Sequence, residues 1–217
     1  MLFRTIISAV VAGIIAGSAS FLIQHRALIP LIYQAETHEQ TTSHENRAGE
    51  PSQNATTRAT YTLIGDILLA SGFGLILCAA YLATGRLGTW SGIGWGLAGF
   101  ATFHLGPSVV VPPLLPGIEL GSLATRQALW LAAAFATALG LSLLAFGRKL
   151  LKIVGAVLLV LPLLIAERLP IPSVQAGSAA IEHSFIVWSL VGALVMWLLV
   201  GTLSGTLFAH FETGDVD

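Results

Sequence analysis

The chain has 217 residues, of which 55% are hydrophobic and only 10% charged, and its mean hydropathy is +0.83. Soluble domains carry about a quarter charged residues, so this composition describes an integral membrane protein. A formal net charge of -1 offers no basic field for nucleic acid, and the single cysteine, Cys78, excludes an intrachain disulfide framework and CxxC metal or redox chemistry.

In chain order, residues 5–24 form an uncharged run after Arg4, with Gly13 and Gly17 in GxxxG spacing. Its length matches the roughly 20 residues a bilayer span requires. A secretory signal is the rival reading, because Ala16 to Ser20 are small. The apolar run outlasts the usual h-region of about 7–15 residues, so it is read as a retained helix 1. Residues 25–61 are the long polar segment, holding His25, Glu36, His38, Glu39, His44 and Glu45 with Arg26, Arg47 and Arg58. Its opening still carries Leu28, Ile29, Leu31, Ile32 and Tyr33, which suits a short interfacial or docked piece. Residues 40–60, rich in Thr, Ser, Asn and Gln, read as a flexible loop. Asn54-Ala55-Thr56 matches a glycosylation sequon, a motif short enough to recur by chance.

Helix 2 is expected over 62–82, with Asp66 near its start, and helix 3 over 87–106, where Gly92, Gly94, Gly96 and Gly99 allow a neighbour to pack closely. His104 precedes Gly106-Pro107, and Pro112, Pro113 and Pro116 follow. Proline lacks a backbone donor and clashes with the preceding turn, so helix 3 is expected to stop at Pro107. Helix 4 follows over 127–146, then the cluster Arg148, Lys149 and Lys152, a short helix 5 over 151–166, a loop to His183, and helix 6 over 184–209 with Gly201 and Gly205 four apart. The expectation is a single all-α transmembrane domain: a bundle of about six spans with a Pro-rich break after helix 3. Lys and Arg divide equally between the two sides. The dense cluster between helices 4 and 5 decides the orientation, because short loops weigh more than long ones, and puts both termini inside.

That topology gathers five of six histidines on the outer side. Imidazole and carboxylate suit borderline divalent ions such as cobalt, nickel or zinc, and the scarcity of thiols argues against copper(I). The candidate metal ligands are His104, Asp66, Glu36, His38, His25 and His183. Each also has a plainer explanation. His25 and His183 can snorkel or cap at the interface, and Glu36 to Glu39 can be a solvated face. His104 can bond a carbonyl freed by Pro107. Polar groups inside spans are nevertheless functional hypotheses by default, which singles out His104 and Asp66. A charge at mid-span costs about 2.5–3.5 kcal/mol, so His104 is expected to be neutral, with one ring nitrogen for a metal and the other fixed by a carbonyl or carboxylate. His38-Glu39 begins like the metalloprotease HExxH, but Thr42 stands where the second histidine belongs. Walker and GxSxG motifs are missing too, so nothing favours an enzyme, and no resident cofactor is expected. Two readings remain: a metal-ion permease subunit, or a membrane scaffold that binds a partner without transporting.

The segment FHLGPSVVVPPLLPG, followed by Arg126-Gln127 and Trp130, resembles the CbtA family of predicted cobalt transporter subunits. Phe3-Arg4 and the glycine-rich helix leading through Pro30 to Ala35-Glu36 are similar as well, and the resemblance covers nearly the whole chain. It implies cobalt uptake across a bacterial inner membrane, a link to cobalamin synthesis, and a small one-span CbtB-type partner with a histidine-rich end. It also implies five spans where hydropathy gives six. Family members commonly place an acid between the paired prolines and LPG, where Leu114 and Leu115 stand here. Glu119 or Asp66 would take over any role of that acid in the ion path.

Overall fold

The computed structural model describes residues 2–42, 55–86, 88–115, 122–167 and 179–213. The described residues are helical, with short connections and no strand: α1 (Leu2–Ile23), α2 (Ile29–Thr42), α3 (Ala55–Thr84), α4 (Thr89–Phe100), α5 (Gly106–Val110), α6 (Leu123–Phe146), α7 (Lys149–Ala166) and α8 (Ala179–Thr213). Among the described residues five helical stretches, Phe3–Ala35, Thr56–Thr84, Leu123–Phe146, Lys149–Ala166 and Ala179–Phe211, are long and apolar enough to cross a membrane. Inside a bilayer every backbone N–H and C=O must be satisfied within the protein, which is why uncharged runs of this length fold as helices.

Two segments are π-helical, Gln24–Leu28 between α1 and α2 and Ala101–Leu105 between α4 and α5. Each lies just before a proline. Ile29, which precedes Pro30, donates its N–H to the Gln24 carbonyl, and Gly106, which precedes Pro107, donates to the Ala101 carbonyl. A proline in a regular helix supplies no N–H and presses its ring on the carbonyl four residues back. Shifting the preceding bond to an i−5 partner widens the turn and lets the chain remain helical. Pro162 stands inside α7 with no such turn described around it.

This corrects the expected end of helix 3. The backbone does not stop at Gly106-Pro107: it stays helical over 89–110, and the departure comes at Val111, where φ is -131° and ψ 85°. Pro112 and Pro113 follow in non-helical chain, and Pro116 lies outside the described residues. The polar segment also differs from expectation. Residues 25–42 continue helically from α1 through the first π-turn, and α3 begins at Ala55 rather than Thr62. Intrahelical hydrogen bonds do not depend on hydropathy, so a helix can run past the apolar stretch that announces it. For the same reason α8 starts at Ala179, within what reads as a loop, and α6 starts at Leu123 behind Ser122, whose hydroxyl accepts from the Thr125 N–H at 3.2 Å.

The chain divides into two compact units, residues 1–97 with 191–217, and residues 98–190. In the first, α1 packs on α3. A Cβ at Gly17 would lie 2.6 Å from the Ile67 Cα and 2.7 Å from the Asp66 carbonyl, so this contact exists because glycine leaves the space. Gly201 and Gly205 of α8 meet Gly92 of α4 with similar closeness. Trp197, Tyr81 and Val200 are fully buried, and Phe73 lies tilted against Trp197 at 4.4 Å between centroids. The Tyr81 hydroxyl lies 3.0 Å from the Gly201 carbonyl and 3.1 Å from Ser204 Oγ, which keeps a buried phenol satisfied. Arg4 Nη1 donates to the Phe211 carbonyl at 2.6 Å, so the start of α1 and the end of α8 share one end of this unit. In the second unit α5, α6 and α7 pack together, with Gly140 and Gly155 at the crossing of α6 and α7.

Candidate metal path

Asp66 lies in the first unit, half-buried on α3. The Gln24 side-chain amide, at the start of the first π-turn, donates to both its carboxylate oxygens, 3.0 Å to Oδ1 and 2.8 Å to Oδ2. The same amide lies 3.3 Å from Ser20 Oγ, one turn back on α1. A carboxylate within a span needs donors of this kind, since it has no water to solvate it. Each carboxylate oxygen has a further lone pair with which to meet a cation. Next in the turn is His25, which is exposed and stacks on Phe21 at 5.6 Å and 22°.

His104 lies in the second unit, within the second π-turn. Its ring is partly buried and stacks on Phe100, four residues earlier, at 6.2 Å and 11°. Gly106 closes the turn against Thr137 of α6, a buried residue whose hydroxyl donates to the Ala133 carbonyl at 2.8 Å. On the adjacent face Phe103 tilts against Trp130 at 6.5 Å. Ser108 Oγ donates to the Leu105 carbonyl at 2.8 Å, supplying a side-chain bond close to a proline that offers no N–H. Pro107 itself is fully buried.

The remaining candidates are more scattered. Glu36 and His38 fall on α2, with their side chains outside the described set, and His44, Glu45 and Glu119 lie outside the described residues altogether. His183 is exposed in the first turns of α8, where a loop is expected from sequence. Among the described residues no group of three His, Cys, Asp or Glu side chains could hold a metal ion.

Gln24 is the participant that sequence reasoning missed. It is an uncharged residue at the end of an apolar run, and its partner stands 42 positions away, so no local spacing announces the pair. The two Phe–His stacks, by contrast, are legible as i, i+4 pairs, the spacing at which helix side chains meet.

Comparison with curated proteins and with solved structures finds no match. A family model described as "Probable cobalt transporter subunit (CbtA)" matches residues 3–209. That match takes in both π-turns, both Phe–His stacks and the Gln24–Asp66 pair, and on its extent the chain belongs to the CbtA family of probable cobalt transporter subunits.

Proposed function

We propose that this chain is the membrane subunit of a cobalt uptake system of the bacterial inner membrane, supplying cobalamin synthesis, with His104 as an intramembrane ligand on the ion's route. The observation that carries this reading is the placement of His104 in a π-turn of a helix that also contains Pro107. π-turns inside helices mark functional sites often, and an ionisable side chain at membrane depth is a functional hypothesis by default. Asp66, held by Gln24, is the second intramembrane ligand. His25, Glu36, His38 and His183 form the outer capture set. A partner with a histidine-rich end would supply further ligands to the same ion.

Six crossings fit this reading better than five. The Arg4–Phe211 bond favours an even count, because α1 begins and α8 ends at the same end of their unit. The helical stretch over 89–110, about 33 Å long at ~1.5 Å per residue, is long enough to be the sixth. Thiol labelling tests the topology. With Cys78 replaced by alanine, Thr57→Cys should react with an impermeant maleimide from outside and Lys149→Cys only after permeabilisation; the reverse pattern would invert the orientation. Isotopic cobalt uptake by cells expressing the chain, with and without a histidine-rich partner, tests the function. Uptake above the empty-vector level supports a permease, and none in either setting would favour a scaffold that binds a partner without transporting.

A further inference from the structure

At the start of α6 a groove of about 490 Å³ is lined by Val111, Leu123, Arg126, Gln127, Trp130 and Leu131. Arg126 is half-buried, and its Nε is wholly enclosed without a hydrogen-bond partner. We propose that this groove binds the phosphate of an anionic phospholipid, with Arg126 as its anchor. The inference is independent of the metal route.

Three features lead to this ligand. Arg126 lines the groove with its Nε N–H unpaired, and a guanidinium meets phosphate through paired, charge-assisted hydrogen bonds, which its outer nitrogens would make here. The site lies in the first turns of an apolar helix long enough to span, just past its Ser122 cap. Arginine and tryptophan at that level face the headgroup layer, where a guanidinium can pair with a lipid phosphate. Finally, Val111, Leu123, Trp130 and Leu131 make most of the lining apolar, which suits the first methylenes of an acyl chain better than a free phosphate ion. Gln127 adds a neutral amide that can donate to the same phosphate. The positive charge makes the groove a poor place for a metal cation.

Delipidated protein in neutral detergent, titrated with phosphatidylglycerol and with phosphatidylcholine of the same chains and read by native mass spectrometry, provides the test. The expected result is saturable retention of phosphatidylglycerol, preferred over phosphatidylcholine, with affinity falling about tenfold in Arg126→Met and less in Arg126→Lys. Leu131→Trp, at an exposed position on the groove wall, should weaken retention while leaving the charge in place. It gives the answer if Arg126→Met fails to fold. Equal retention of the two lipids by the wild type would overturn the proposal, as would wild-type affinity in Leu131→Trp. Glycerol phosphate binding as tightly as the lipid would assign the groove to a free anion and overturn it too.

Discussion

The π-turn before Pro30 and the π-turn before Pro107 use one hydrogen-bond offset in different surroundings. In each, the residue preceding the proline donates to the carbonyl six positions before that proline, and a histidine stacks on a phenylalanine four residues back. The first turn has an exposed proline and an exposed histidine, and its polar business is done by Gln24, whose amide holds Asp66 from both oxygens. The second has a fully buried proline and a partly buried histidine, with Gly106 set against Thr137. The backbone device is therefore a way of keeping a proline inside a helix, and its neighbours decide what chemistry it displays. One turn positions a carboxylate, whereas the other sets an imidazole among aromatic and small residues.

The largest expected effect separates the two histidines. At equal membrane abundance His104→Gln should lower cobalt uptake by roughly 10–100-fold, the range seen when the support of a metal ligand is lost. His25→Gln should change uptake little, since in the proposed route His25 would be one of several capture groups. Similar losses in both variants would erase the functional distinction between the turns.

The next effect is on stability. Gly17→Ala would push a Cβ into the backbone of α3, and should cost about 3 kcal/mol, near the upper end for overpacking. Gly106→Ala meets the Thr137 side chain and lies 3.1 Å from the Ala101 carbonyl. A side chain yields more readily than backbone, and alanine favours helix by ~1 kcal/mol, so a loss of about 1 kcal/mol is expected there. Thermal unfolding in detergent should rank the two in that order, and a larger drop for Gly106→Ala would show the second turn to be the more rigidly braced.

A smaller effect probes the polar pair itself. Gln24→Leu leaves the Asp66 carboxylate without its described donor, at a cost of about 1–3 kcal/mol. Gln24→Leu with Asp66→Leu should recover most of that loss, because removing both partners of a buried bond is nearly neutral. If the double variant is no more stable than the single one, the amide does not serve to hold the carboxylate.

How far the sequence reveals these regions follows from what each depends on. The apolar runs are legible because a bilayer demands about 20 uncharged residues per crossing. Their ends are not, since residues 25–42 and 55–61 are polar in composition and still helical. His104 stands out as a candidate because an imidazole in an apolar run is rare. The path of the chain around it does not, since Pro107 reads as a terminator unless the preceding turn is known to widen. The Gln24–Asp66 pair depends wholly on α1 crossing α3 at Gly17, a tertiary event that local spacing does not encode.

The central claim is that the ion meets position 104, and a thiol placed there reports it directly. In a Cys78→Ala background, His104→Cys should be protected from maleimide by cobalt(II), but not by magnesium, and should develop the cobalt–thiolate charge-transfer band, because thiolate binds the softer ion. His210→Cys, near the α8 terminus bound by Arg4, should show neither effect. Protection and absorption at position 104 alone are the predicted result. Equal maleimide reactivity of His104→Cys with and without cobalt, in correctly inserted protein, would contradict the account and leave the second π-turn a structural accommodation of Pro107.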